Sequence, residues 1–342
     1  MYKIRPNIEA LMPYSTARDE YKGGDISVWL DANESPYDNG VNRYPDPHQK
    51  QLKQALAALK GVSADQLFLG NGSDEAIDLC FRIFCEPCID NVVAITPTYG
   101  MYAVAAAINN VEVKEVALST TDFSLLVDDM LSATDNHTRL MWICSPNNPT
   151  GNAFALSQIE LLAQRFNGIV VVDEAYADFS NKGSALTLLS QYDNVIVLQT
   201  LSKAWGMAGL RLGMAFANKQ IINLFARVKY PYNINAPTQQ EVLTRLCNEP
   251  HDAHVSEVCS ERHLLQQVLP KLACVEKVFP SDANFILVKV TDADGIYNYL
   301  IDKGIIVRNR TRVPGCKGCL RITVGTPKQN EQLIECLKSY TL

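Results

Sequence analysis

Apolar and polar positions along this chain follow two alternating periods. From about residue 48, short and continuously apolar runs trade places with stretches of helical periodicity. The runs predict strands over residues 91–95, 111–116, 139–144, 169–172, 194–198 and 212–217, with helices between them such as 49–60, 74–84, 157–166 and 219–228. Ile169, Val170, Val171 and Val172 lack the polar alternation of a half-exposed strand, so helices are expected over both of its faces. Strand–helix alternation of this kind predicts an α/β fold with a mostly parallel sheet.

Pro231 and Pro237 bracket a natural break. Beyond it come helical stretches at 238–247 and 255–269. A strand (284–290), a helix (293–303), a strand (320–324) and a helix (328–338) follow, the order of a smaller α+β unit. Three regions are therefore expected: an arm over residues 1–45, a large α/β domain over 46–235 and a small domain over 236–342. The arm is rich in Pro, Asn and Tyr but too apolar for a disordered tail, so it is expected to pack on something.

Length and composition fit this division. A chain of 342 residues is long for one core. No apolar run approaches the roughly 18 residues of a membrane span, and the start lacks the apolar stretch of a secretory signal, so a cytoplasmic protein is expected. A net charge of −6 argues against nucleic acid or an anionic membrane as partner. The ten cysteines are scattered through apolar segments, which suits reduced, buried thiols. Cys85/Cys88 and Cys316/Cys319 have metal-like spacing but stand too far apart for a compact zinc motif, and His251 and His254 read as exposed residues at a helix start.

Candidate chemistry gathers where strands end. In open α/β sheets, ligands bind beyond the carboxyl ends of the strands. Asp173 and Glu174 end one predicted strand, the loop from Ser145 to Gly151 follows a second, and Thr200, Leu201, Ser202 and Lys203 follow a third. A lysine among small residues, with a hydroxyl beside it and Arg211 eight positions on, suits an amine that forms a Schiff base with pyridoxal phosphate. Asp173 can pair with the protonated pyridine nitrogen of such a cofactor, or simply cap its loop. Tyr176 and Asn148 can reach the ring's phenolic oxygen, while Arg211, Ser202 and Thr200 suit the phosphate. Gly70, Gly72, Ser73 and Asp74 open a helix whose backbone N–H groups can hold an anion, provided the Asp74 and Glu75 carboxylates turn away; a plain capped helix fits the same residues. The turn lacks the spacing of a dinucleotide fingerprint and does not directly follow the first strand of a clear βαβ unit, which weakens a nucleotide-binding dehydrogenase. Arg308, Arg310, Arg312, Lys317 and Arg321 gather near the end of an otherwise acidic chain and point to an anion, though Arg310, Arg312 and Lys317 also read as a solvated basic loop.

The order of these motifs resembles the fold type I aminotransferases. It runs from Gly72, Ser73, Asp74 and Glu75 through Pro97, Thr98, Tyr99 and Gly100 to Asn148, Pro149, Thr150 and Gly151. Asp173, Glu174, Ala175 and Tyr176 come next, then Ser202 and Lys203 with Arg211. Within that superfamily, the stretches from Leu30 to Pro36, Arg43 to Asp46, Tyr99 to Tyr102 and Cys319 to Gly325 resemble the histidinol-phosphate aminotransferase family, and the likeness covers nearly the whole chain.

The resemblance implies pyridoxal 5'-phosphate bound covalently by Lys203. Asp173 would then sit at the ring nitrogen, Asn148 and Tyr176 at the phenolic oxygen and Tyr99 on the ring face. Ser73, Asp74, Ser202 and Arg211 would hold the cofactor phosphate. It implies a homodimer in which Tyr44 reaches the partner's cofactor phosphate, and a substrate site using Tyr14, Tyr44, Asn148, Arg308 and Arg321. The implied reaction moves an amino group between L-histidinol phosphate and 2-oxoglutarate in histidine biosynthesis. A phosphothreonine decarboxylase, an aromatic amino-acid aminotransferase and a non-catalytic cofactor-binding regulator are the alternatives. Trp205 departs from the phenylalanine more usual beside that lysine.

Overall fold

The computed structural model describes residues 2–17, 20, 23 and 26–340. Among these, eleven strands form two sheets. The large sheet holds β1 (Leu67–Asn71), β2 (Asn91–Thr96), β3 (Glu112–Ala117), β4 (Thr138–Cys144), β5 (Ile169–Asp173), β6 (Val195–Thr200) and β7 (Leu212–Phe216). Their order is β1-β7-β6-β5-β4-β2-β3, with β3, β2, β4, β5 and β6 all parallel and β7 antiparallel to both neighbours. The mostly parallel α/β sheet expected from the apolar runs is therefore present. Strand β1 was not anticipated. Because β7 runs against both β6 and β1, β1 points the same way as β6 and delivers Gly72 and Ser73 to the edge where the parallel strands end. The glycine turn thus follows a strand, but one at the sheet margin beside an antiparallel neighbour and not paired with β2.

Period-two alternation fills both faces of this sheet. Met141, Ile143, Val170 and Val172 pack to one side, against the helices Lys50–Lys60 and Leu156–Arg165. Leu140, Trp142, Ile169 and Val171 pack to the other, against the helices Ser73–Phe84, Met101–Ile108 and Lys219–Val228. Trp142 is fully buried and stacks between Phe81 and Tyr102, with ring centroids 5.4 and 4.8 Å away. That stack ties the helix after the glycine turn to the helix carrying Tyr102, so it braces two walls of the cavity described below.

The second sheet holds β8 (Val275–Val278), β9 (Phe285–Val290), β10 (Arg308–Asn309) and β11 (Cys319–Thr323), in the antiparallel order β10-β11-β9-β8. Ile286, Val288, Leu320 and Ile322 form its own core with the helices Ala293–Asp302 and Pro327–Lys338. Phe285, Leu287 and Cys319 face the other way and join the core beneath the large sheet, which seats β11 against the large sheet's functional edge. Among the described residues no helix is long and apolar enough to cross a membrane.

All ten cysteines carry free thiols, but Cys88 and Cys247 are exposed rather than buried. The reading of His251 as an exposed cap is wrong. It is the first residue of the helix His251–Val268, and its ring lies 4.0 Å from that of Trp205, nearly parallel to it. The Trp at 205 is thereby accommodated as a stacking partner, a tertiary contact that spacing does not disclose.

Gly213 shows how tightly the edge is built. A Cβ there would lie 2.1 Å from the Ser73 backbone nitrogen, with no flexible side chain to yield. Gly213→Ala should therefore push the helix N-terminus off β7. We expect a loss of thermal stability of about 1–3 kcal/mol, the usual cost of overpacking, read as a lower Tm. An unchanged Tm would mean that the two backbones are not in contact.

Candidate active site

Six strands, β1 to β6, deliver their carboxyl ends to one edge of the large sheet, and β7 begins there. A cavity of about 590 Å³ opens at that edge. Its wall includes Ser73, Asp74, Tyr99, Asn148, Asp173, Tyr176, Ser202, Lys203 and Arg211 from the large sheet's loops. Arg308, Arg310 and Arg321 come from the small sheet. Most residues singled out from the sequence thus meet in one space. Tyr14 and Tyr44 do not: both are exposed and outside this wall, and Tyr44 stacks on Tyr232 with centroids 4.4 Å apart.

Asp173 forms the floor. It is only 3% exposed, and its Oδ2 accepts a hydrogen bond from the Tyr102 hydroxyl at 2.7 Å, its Oδ1 from the Ala175 N–H at 3.1 Å. Burial raises its pKa above the ordinary carboxylate range, and the Tyr102 bond pulls in the opposite direction. No cation forms an ion pair with it among the described residues. The next residue, Glu174, points away from the cavity and accepts from Gln199 Nε2 and the Ala185 N–H, fixing the loops behind the floor. Tyr102 was missed from the sequence. It stands in an alanine-rich helix where an aromatic reads as core, and only the fold shows its hydroxyl meeting Asp173.

At one end of the cavity lies an anion cradle. The helix Ser73–Phe84 points its N-terminus inward from Gly72, whose φ of +73° is a left-handed backbone that favours glycine. Arg211 lies over the same turn: its carbonyl accepts from the Gly72 N–H at 2.7 Å and its Nη2 stands 3.6 Å from Asp74 Oδ2. Thr200 and Ser202 join hydroxyls at 2.9 Å across the turn from β6. The expectation that both carboxylates turn away holds for Glu75, which is bonded by Asn71 and Asn233. It fails for Asp74, which stays in the wall because Arg211 and the Tyr99 hydroxyl, 3.2 Å away, hold it. Burial and then the Asp74 charge push the Tyr99 phenol up to about 12, so it remains a donor.

Lys203 reaches into the middle. It is exposed in the isolated chain because its side chain ends in the open cavity, with Nζ 5.6 Å from the centre of the Tyr176 ring. Burial of its amine, and then the Arg321 charge, lower its pKa below the ordinary lysine range, so more of it is the neutral nucleophile at a given pH. Asn148 is 8% exposed; its Nδ2 donates to the Tyr176 hydroxyl at 3.5 Å, and its Oδ1 accepts from Arg321 Nη1.

The far end is cationic. Arg308 and Arg321 stand directly opposite each other on β10 and β11, a like-charge pairing that destabilises a sheet unless something negative lies between. The Arg321 guanidinium lies over the Phe285 ring at 5.1 Å, and its Nε has no hydrogen-bond partner. Arg310, one of three cations that also read as a solvated basic loop, is in this wall; Arg312 and Lys317 are not.

Comparison with known proteins identifies the framework. Residues 17–337 match the family described as Aminotransferase class I and II. The chain belongs to that family. It is 53% identical to a histidinol-phosphate aminotransferase of Parabacteroides distasonis over 99% of this chain and 98% of that one. Its fold is similar to the histidinol-phosphate aminotransferase of Clostridium acetobutylicum, with a TM-score of 0.79, 22% identity and coverage of 87% of this chain and 90% of the other. It also resembles that of Sinorhizobium meliloti, solved with pyridoxal-5'-phosphate, with a TM-score of 0.78, 23% identity and coverage of 86% and 82%.

The buried Asp173 gives a test that needs no ligand. Because its folded pKa is raised, the native protein binds more protons than the unfolded chain between the ordinary value of about 3.9 and the raised one. Stability from this group therefore falls as pH rises through that window. In cofactor-free protein, Asp173→Asn should match or exceed the wild-type Tm at pH 7.5, and the difference should vanish near pH 4. A variant that is less stable at both pH values would contradict the assignment of an uncompensated charge.

Proposed function

We propose that this chain is a pyridoxal 5'-phosphate-dependent aminotransferase that moves an amino group between L-histidinol phosphate and 2-oxoglutarate. The observation that carries the proposal is the order of groups along one cavity: anion cradle, lysine amine above a buried unpaired carboxylate, then a second set of cations. The name shared by relatives about half identical over nearly the full chain supports histidinol phosphate as the phosphorylated substrate.

The residues present fit the cofactor. Asp173, buried and without an ion-pair partner among the described residues, would hold the proton on a pyridine nitrogen, with Tyr102 and the Ala175 N–H keeping its oxygens in place. Asn148 and Tyr176 would meet the ring's phenolic oxygen, and Tyr99 would cover the ring face. The first-turn amides of the helix at Ser73 and Asp74, with Ser202 and Arg211, would hold the phosphate. When bound, the cofactor supplies an aldehyde that condenses with amines and a cationic ring that withdraws electrons from the substrate Cα.

The chain's own residues then do three things. Lys203 Nζ would hold the cofactor aldehyde as its nucleophile, and as a free amine it would be the base that takes the substrate Cα proton. Asp173 would keep a bound ring cationic. Arg321 and Arg308 orient the substrate by its anionic group, phosphate in one half-reaction and carboxylate in the other, so that Cα lies within reach of Lys203.

The positions of the remaining site residues support a homodimer. Met12, Tyr14, Val28, Leu30, Tyr37 and Val41 are all more than 60% exposed within one short region, an apolar surface that suits a second copy of the chain. Packing there would bring Tyr14 and Tyr44 to the partner's cavity, where their hydroxyls would meet substrate and cofactor phosphate.

Three outcomes are expected. Purified protein should form glutamate from L-histidinol phosphate and 2-oxoglutarate, with far less from phenylalanine; carbon dioxide released from phosphothreonine would instead indicate a decarboxylase. Lys203→Ala should lower kcat by at least the roughly 10²–10⁴-fold typical of losing a general base, and substantial turnover in that variant would sink the mechanism. Mixing Lys203→Ala subunits with Tyr44→Ala subunits should give more activity than either alone, because the heterodimer has one complete site. No gain would place Tyr44 within its own subunit's chemistry.

A further inference from the structure

Arg308 and Arg310 are two residues apart, so their side chains leave the same face of the edge hairpin that β10 and β11 form. Arg308 lies opposite Arg321, and the Arg310 N–H donates to the Cys319 carbonyl at 2.8 Å, extending the ladder by one residue. Arg310 is therefore the diagonal neighbour of Arg321, and three guanidinium groups share one patch of the cavity wall. None of the three makes an ion pair with a carboxylate among the described residues, and the Nε atoms of both Arg310 and Arg321 are buried without an acceptor. The half-buried Arg310 is also pushed below the ordinary arginine range, by burial and then by Arg308, so its charge is costly where it stands. An amino-acid carboxylate carries one negative charge, which a single forked guanidinium already satisfies. Three cations exceed what one carboxylate of a dicarboxylate co-substrate can balance at a single subsite. A phosphate monoester near neutral pH carries almost two charges and three acceptor oxygens, and it matches them better.

We propose that Arg310 is a specificity-determining residue that makes the distal subsite prefer a doubly charged phosphate monoester over a carboxylate. This deepens the substrate reading above and rests on it. Arg321 and Arg308 serve both half-reactions, whereas Arg310 is engaged only when the ligand has an oxygen and a charge to spare. Its contribution should therefore depend on the second ionisation of the phosphate, near pH 6.

The test compares wild type, Arg310→Gln and Arg310→Lys as cofactor-loaded enzymes, following each half-reaction by absorbance. We expect Arg310→Gln to raise KM for L-histidinol phosphate at least tenfold while changing kcat/KM for glutamate less than threefold, with partial recovery in Arg310→Lys. In wild type, KM for the phosphate substrate should fall as pH rises from 5.5 to 7.5, and that slope should flatten in Arg310→Gln. Equal losses in both half-reactions, or no loss in either, would overturn the proposal. A second arm keeps it separable from the substrate assignment. Inorganic phosphate should compete with glutamate in wild type and do so at least tenfold more weakly in Arg310→Gln, even if L-histidinol phosphate proves not to be a substrate. Unchanged competition would overturn the role of Arg310.

Discussion

The Asp173 carboxylate is buried at the end of β5 with two hydrogen-bond donors and, among the described residues, no ion-pair partner. A desolvated charge in that position costs several kcal/mol unless something positive compensates it. The surroundings maintain the cost rather than relieve it. Tyr102 is locked by stacking on Trp142, Ala175 is held by the turn, and Glu174 is anchored on the opposite side. The fold thus holds a carboxylate without an ion-pair partner facing a cavity, where a cationic group of a ligand would compensate it.

Around that floor, charge is distributed in a way that separates two anions. The helix N-terminus with Arg211 forms one positive end, and Arg308, Arg310 and Arg321 form the other, with the Lys203 amine between them. The two ends come from different sheets, so their separation depends on how the small sheet is seated. Phe285 secures that seating: its ring packs edge-on against Tyr176 at 5.1 Å and lies beneath the Arg321 guanidinium, joining β9, β11 and the loop after β5. Asn148 closes the link by accepting from Arg321 while donating to Tyr176. The distal arginines are thus joined to the ring-binding Tyr176 by direct contacts of two side chains, Phe285 and Asn148.

Much of this was legible in the sequence because the central strands are buried on both faces and so are written as unbroken apolar runs. Those runs located the strand ends, and with them Asn148, Asp173 and Lys203. Three strands escaped notice for different physical reasons. β1 has only three apolar residues before Gly70 and Asn71; β8 is a half-exposed edge strand carrying Glu276 and Lys277; β10 is two residues long. Without β10, the shared face of Arg308 and Arg310 cannot be seen, and Arg310 reads as part of a solvated loop. Tyr102 and His251 were misjudged because their roles are set by tertiary partners, Asp173 for one and Trp205 for the other. Tyr14 and Tyr44 remain outside the cavity of a single chain.

The account depends most directly on where the cofactor attaches. Holoenzyme prepared with pyridoxal 5'-phosphate, reduced with borohydride and mapped by peptide mass spectrometry should carry the cofactor's mass on the peptide containing Lys203 and on no other. The same label distributed over surface lysines, or absent from Lys203, would contradict it.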